Sequence, residues 1–357
     1  MAMFFASDNG LGASDKVMRA IVEANAGPRL GYGRDDATRH VEQRLSALFE
    51  REVGVYMVIT GSAANGLALS TLTPPWGIVL CHDESHVMED ECCGPEFFTG
   101  GAKLVGIPGA GAKISAAALE RTLKKLPRRV PHNAPAHALS ITQSTEYGLT
   151  YSVDEVKALA GIAKAHDLAV HMDGARFANA VARLGCSPAE VTWKAGVDVL
   201  SFGTTKGGGL ACEAIVFFDP ARGTDMVRRR MRGGHLLSKH RFLAAQMDAF
   251  LDGGHWLELA RHANAAASRL AAGLKAVPGV RVPFTPEANG VFPILPLHVE
   301  TALKAAGAVF YPWSDRSLPD GMTVGPDEVI VRLITSFATT NEDVDRFVAT
   351  AAAAAVK

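Results

Sequence analysis

A chain of 357 residues is longer than one hydrophobic core usually serves, so two unequal bodies are expected, the larger of roughly 200 residues. Hydrophobic residues make up 48% of it and charged residues only 20%, which excludes disorder and supplies apolar material for both cores. The formal net charge of -1, from 36 Lys plus Arg against 37 Asp plus Glu, excludes the basic field that nucleic acid or an anionic lipid surface would require.

Residues 1–35 carry Gly, Pro, Asn and Asp at short intervals around one helical patch, Val17 to Ala24, and this spacing predicts an arm able to reach a neighbouring subunit. From Asp36 onward helical patterns alternate with the short apolar runs VYMVIT, GIVLCH, AKLVGIP, HALSITQ, LAVHMD, VDVLSFG and EAIVFF. Each run is rich in Val, Ile and Leu and ends in a polar or glycine-rich turn, as buried strands of a mostly parallel sheet do. The segment from Val153 to His166 between two of them has helical spacing. The pattern predicts an α/β doubly wound core over about 36–220, inside a large cofactor-binding domain of 36–250. A long helical tract runs from Thr224 through Ala276, after which VRVPF, GVFPILP, AVFYPW and VIVRLITSF read as strands of a smaller α+β domain, 251–357. An alanine-rich helix over Asn341 to Val356 closes it.

Five cysteines, Cys81, Cys92, Cys93, Cys186 and Cys212, are odd in number and lack CxxC spacing. That fits free thiols in a reducing compartment and assigns no metal ligands, with the adjacent Cys92 and Cys93 expected to pack. No stretch approaches ~18 consecutive apolar residues, and MAMFFASDNG lacks the regions of a signal peptide, so a cytoplasmic protein is expected.

In open α/β sheets ligands gather at the C-terminal strand ends, and the polar residues of this chain crowd there. Gly61-Ser62-Ala63-Ala64-Asn65 follows VYMVIT and opens a helix, whose free N–H groups and dipole can bind a phosphate, although many helices begin with serine merely as a cap. His86 follows the run GIVLCH, where an imidazole could lie on a ring and exchange protons or simply bond within a loop. LAVHMD leads into Gly-Ala-Arg, placing Asp173 at a strand end with Arg176 just beyond, either as a structural pair or as functional groups. In VDVLSFGTTKGGG, Lys206 sits on a tight turn after Thr204 and Thr205, and GxxxxGK followed by Ser or Thr is absent, so the glycines form no P-loop.

Taken together these residues describe one cofactor. A lysine adds to an aldehyde as a Schiff base, an aspartate 33 residues earlier can keep a pyridine nitrogen protonated, and a helix N-terminus can take a phosphate. That is pyridoxal 5'-phosphate.

With these motifs the sequence resembles the low-specificity L-threonine aldolases, a branch of the fold type I pyridoxal-phosphate enzymes. The likeness runs through Ser7-Asp8-Asn9, Tyr32-Gly33 with Asp35, Gly61 to Asn65, His86 with Glu91 and GPEFFTGG, HMDGAR at 171–176, the lysine turn Ser201 to Gly209, and Arg332 in VRLITSF. His132, eight residues before Ser140, falls where relatives carry a second active-site histidine. The resemblance implies a large mixed-sheet domain with a small C-terminal one, cofactor contacts at Gly61, Ser62, Ala63, His86, Asp173, Arg176, Thr205 and Lys206, and substrate contacts at Ser7, Tyr32, Asp35, Arg176 and Arg332. It implies catalytic parts for Lys206, Asp173, His86 and His132, an amino-acid substrate cleaved to glycine and an aldehyde, and a homotetramer built from dimers.

The lysine turn reads TTKGGGLAC where many relatives have SKGLGAPVG, and RRRMRGGHLLSKHR also diverges. A phosphate contact from Lys239 or Arg241 of a neighbouring subunit is the expectation there, and a solvated helical face the plain reading of Arg228 to Arg232. Three rivals stand beside aldol cleavage: another reaction on the same cofactor, such as β-elimination or hydroxymethyl transfer; nicotinamide-dependent oxidoreduction; and a catalytically inert interaction protein of the same fold, against which Lys206, Asp173 and both arginines speak. Against the second, Gly109 to Lys113 holds only two glycines of a GxGxxG pattern.

Overall fold

A computed structural model describes residues 3–356; the first two residues of the expected arm, and Lys357, lie outside them. In chain order the elements are β1 (Met3–Phe4), α1 (Asp15–Ala24), α2 (Asp36–Leu48), β2 (Gly54–Val58), α3 (Gly61–Leu72), β3 (Ile78–His82), α4 (His86–Glu89), α5 (Gly94–Thr99) and β4 (Lys103–Ile107). They continue with α6 (Ala116–Lys125), β5 (Ala136–Thr142), α7 (Val153–Ala165), β6 (Ala169–Gly174), α8 (Phe177–Leu184), β7 (Val199–Gly203), β8 (Glu213–Phe217), α9 (Met226–Arg232), α10 (Arg241–Leu251) and α11 (His255–Lys275). The last are β9 (Gly290–Val291), β10 (Ile294–Pro296), α12 (Leu297–Ala305), β11 (Ala308–Val309), β12 (Tyr311–Pro312), β13 (Glu328–Ile334) and α13 (Asn341–Ala355).

Seven strands form the large sheet in the order β2-β8-β7-β6-β5-β3-β4, and the seven apolar runs of the sequence supply them. Only the pairings of β8 with β2 and β7 are antiparallel, so the other six strands all end on one edge. Side chains alternate across the sheet as the pleat requires. Leu200, Phe202, Ala214 and Val216 face a core covered by α2, α7, α8 and α10, while Val199, Ile215 and Phe217 face α3 and Met226 of α9. Aromatic rings fill the first side: Phe202 meets Phe49, Phe177, Phe250 and Trp256 at centroid separations of 5.8 to 6.4 Å.

A second core lies between the C-terminal half of α11, α12, α13 and the short strands around β13. The expected arm folds onto its own chain. Met3 and Phe5 are buried in this second core, β1 pairs with β11, and α1 packs beside α10. The apolar pair Met3 and Phe5 explains the docking, because leaving both in water would forfeit several kcal/mol, roughly 2 each. The tract expected as one long helix is broken at 233–240 and at Gly253–Gly254, and Gly234, Gly253 and Gly254 hold left-handed backbone, which glycine adopts without a Cβ clash. VRVPF forms no strand beyond one bridge from Arg281 to Ile294. Among the described residues no helix is long and apolar enough to cross a membrane.

Candidate active site

The loops after β2, β3, β5, β6 and β7 converge on one edge of the large sheet, where they meet Asn289, Phe292, Trp313 and Arg332 from the smaller region around a cavity of about 640 Å³. Of the residues singled out in the sequence, Ser7, Gly61, Ser62, His86, Asp173, Arg176, Thr205, Lys206 and Arg332 line it.

Lys206 reaches the floor because the chain folds back sharply after β7. A Cβ at Gly203 would stand 2.6–2.8 Å from the backbone of Ala175, so only glycine lets the lysine turn lie against the DGAR loop, and Gly208 holds a φ of 126°. Burial, followed by the charge of Arg176, pushes the Lys206 ammonium below its ordinary pKa, which favours the neutral, nucleophilic amine. Asp173 is 3% exposed and its carboxylate is tied down on both oxygens, to the Ala175 N–H at 3.0 Å and to Asn65 Nδ2 at 2.9 Å. Asn65 also donates to Glu91 at 2.8 Å, and Glu91 bonds His86 Nδ1 at 2.9 Å, so one hydrogen-bonded chain joins the aspartate to the imidazole. Burial opposes the charged imidazole, but the Glu91 bond and the Asp173 charge prevail and hold the His86 pKa above its usual value.

The first histidine of HMDGAR has a different task. His171 is buried between Ser140 Oγ at 2.8 Å and Ser201 Oγ at 3.0 Å, lacing β5, β6 and β7 together, and burial pushes it down to about 4, so it stays neutral. The first turn of α3 opens with Thr60, whose hydroxyl accepts the Ala63 N–H at 3.2 Å. Gly61 and Ser62 stand at the first turn, where the N–H groups have no intrahelical acceptors, and both line the cavity.

Four expected contacts lie elsewhere. Ala63 is buried and its N–H is taken by Thr60. Asp35 caps α2 through the Thr38 N–H at 2.9 Å, and Tyr32 is exposed with its N–H on Ser238 O. His132 is exposed in the turn before β5, at the end of that strand opposite the cavity, a seven-residue strand away. Lys239 is exposed, and Arg241 donates to Gly27 O at 2.6 Å; neither lines the cavity of its own chain. The basic face of α9 is not wholly solvated, because Arg230 is buried with a bond to Met57 O at 3.0 Å and lies over the Tyr56 ring. Cys92 and Cys93, expected to pack, are exposed in left-handed backbone.

Other groups had no sequence signal of their own. Glu146 and Glu213 line the cavity, and burial pushes each up to about 7; Glu146 accepts the His86 backbone N–H at 2.9 Å, and Glu213 the Thr204 N–H at 2.7 Å. Arg332 stacks 4.7 Å over Trp313 and donates to Ala6 O at 3.0 Å.

A buried lysine amine, a buried carboxylate, an imidazole and a helix N-terminus in one cavity form the donor set that pyridoxal 5'-phosphate needs, and they stand on a fold type I scaffold. The protein is a pyridoxal-phosphate enzyme. The chain belongs to the beta-eliminating lyase family, whose profile matches residues 5–295. It is 42% identical over 307 residues to the low specificity L-threonine aldolase of Pseudomonas sp. (strain NCIMB 10558), covering 86% of this chain and 88% of that one. To the protein of the same name from Pseudomonas aeruginosa it is 43% identical with the same coverage. Among solved structures, threonine aldolase of Leishmania major superposes with a TM-score of 0.89 at 26% identity over 98% of each chain. Serine palmitoyltransferase of Sphingomonas wittichii, at 17% identity, TM-score 0.70 and coverage of 98% of this chain and 86% of that one, shares the fold alone.

Proposed function

We propose that this chain is a carbon–carbon lyase that cleaves L-threonine and L-allo-threonine, and other β-hydroxy-α-amino acids such as phenylserine, to glycine and an aldehyde. The observation that carries the reading is the meeting, in one cavity, of Lys206, Asp173 and His86 with two arginines, Arg176 and Arg332. The names and high coverage of the Pseudomonas relatives support the same activity.

When bound, pyridoxal phosphate supplies an electron-withdrawing ring that can take up charge left at a substrate Cα. Lys206 would hold the cofactor through its amine, Asp173 would keep a proton at the ring nitrogen, and His86 would pack against the cofactor. Gly61, Ser62 and Thr205 would take its phosphate end. Ser7, Arg176 and Arg332 would grip the substrate carboxylate and so fix the orientation of the substrate in the cavity. A base beside the β-hydroxyl would take its proton as the Cα–Cβ bond breaks and the aldehyde leaves. His86 is the candidate acceptor within the chain. His132 could serve only from a neighbouring subunit, in keeping with the homotetramer of dimers that we infer, as is the phosphate contact from Lys239 or Arg241. The free cysteines support a cytoplasmic placement.

Purified protein incubated with L-threonine or L-serine, and assayed for acetaldehyde, formaldehyde and pyruvate, tests the reading. Acetaldehyde with equimolar glycine is expected; pyruvate without acetaldehyde would assign a β-elimination instead.

A further inference from the structure

The two arginines of the proposed carboxylate site come from different cores, Arg176 from the loop after β6 and Arg332 from β13. One short segment holds both. The Ala6 carbonyl accepts Arg332 Nη2 at 3.0 Å, and Asp8, two residues on, takes Arg176 through both carboxylate oxygens, Nε to Oδ2 at 2.7 Å and Nη2 to Oδ1 at 2.9 Å. Ser7, between them, lines the cavity.

Asp8 is 4% exposed, and Asn289 Nδ2 fixes it from the smaller region at 3.0 Å while also donating to Thr335 O at 2.7 Å. The Ala6 end is anchored as firmly, because Phe5 pairs with Val309 O and receives the Ile334 N–H at 2.8 Å. Burial works against the Asp8 charge, but the charge and hydrogen bonds of Arg176 outweigh it and hold the pKa below the ordinary value. The pair occupies the Nε–Nη2 edge of the Arg176 guanidinium. Among the described residues Nη1 makes no bond, so the terminal nitrogens remain for an anion.

We propose that Asp8 is a positioning residue of the substrate-carboxylate site, setting the orientation of Arg176 and its spacing from Arg332 so that both guanidiniums meet one carboxylate. The side chain touches neither cofactor nor substrate; it acts through Arg176. Asp8 also ties the DGAR loop of the large sheet to the smaller region, so the carboxylate site is assembled only when both cores are docked. This inference rests on the reading of the cavity as an α-amino-acid site.

Spectral titration of the holoenzyme with glycine and with methylamine, an amine lacking the carboxylate, separates the two ideas. In Asp8→Asn the glycine dissociation constant should rise by about tenfold or more, with that of methylamine unchanged within about twofold. Asn289→Ala, which leaves the ion pair but removes its brace, should move glycine in the same direction by about threefold and spare methylamine. Should Asp8→Asn fail to fold, Asn289→Ala carries the test alone. Equal weakening of both ligands, or no change for glycine, would overturn the proposal. A wild-type holoenzyme that responds to methylamine but shows no preference for glycine would instead overturn the amino-acid reading of the cavity.

Discussion

The large sheet and the smaller C-terminal region solve different problems. In the large sheet β3, β7 and β8 are buried along their whole length, with helices on both faces, so their sequences are mostly apolar, and the polar exceptions His82, Ser201 and Glu213 each make buried hydrogen bonds. In the smaller region β1, β9, β11 and β12 are two residues long, and both residues of β12 are exposed. The first supplies a rigid platform whose loops carry Lys206, Asp173 and Gly61; the second supplies Arg332, Trp313 and Asn289, held by scattered side-chain contacts. On the proposed reading, cofactor binding falls to the region with the stronger local signal, and the substrate-carboxylate site is shared between Arg176 of that platform and Arg332 of the region that depends on docking.

The division can be broken most severely at the platform. Lys206→Ala should lower threonine cleavage on the order of a thousandfold or more, and borohydride with peptide mapping should no longer fix cofactor on this segment. A reducible cofactor attached to another lysine would show that the platform has been misread. On the recognition side, Arg332→Ala should raise KM for threonine by about 30-fold or more and lower kcat much less, leaving the cofactor spectrum intact; a pure kcat loss would move Arg332 out of carboxylate binding.

Stability offers a third comparison. Phe347 packs edge-on against Phe5 at 5.0 Å and against Phe310 at 5.8 Å in the smaller core, while Phe202 sits among the rings of the large one. Truncating either to Ala should cost about 3–5 kcal/mol in denaturant unfolding. Hydrogen exchange should localise the loss after Phe347→Ala to the C-terminal strands and residues 3–5; uniform loss across the large sheet would mean that the two cores unfold as one.

A further comparison is a pH dependence. Glu146 has its pKa raised from 4.5 to about 7 by burial, followed by repulsion from Asp173, so the folded protein binds its proton more tightly than the unfolded chain. Its contribution to stability therefore declines as pH rises from 4.5 to about 7 and is level above that. In the cofactor-free protein, Glu146→Gln should gain stability over wild type through that window, by up to roughly 3 kcal/mol, while its amide oxygen still accepts the His86 N–H. A difference that does not vary with pH would show that Glu146 is not held protonated.

The platform was legible in the sequence because its signals are local. Seven apolar runs placed seven strands within a residue or two, since strands covered by helices on both faces are rich in Val, Ile and Leu along most of their length. Lys206, Asp173, His86 and Gly61 could be named because each stands at the C-terminal end of a strand or within four residues of it. The smaller region was less legible: VRVPF has the composition of a strand yet finds only a bridge, because its neighbours β9 and β10 offer too little edge. Asp35, named from the resemblance, is a buried cap of α2 that does not line the cavity of its own chain, and a capping aspartate carries no local mark that distinguishes it from a ligand residue.

What sequence alone determined is the set of groups that a strand end presents, since backbone geometry within a few residues controls them. Only the tertiary structure decided which groups share a cavity and what charge they carry there. The joining of Asp8, Arg176 and Asn289 spans 281 residues from Asp8 to Asn289, and the raised pKa values of Glu146 and Glu213 exist only once both cores have closed water out. Neither distance in space nor loss of solvent is written in any local pattern.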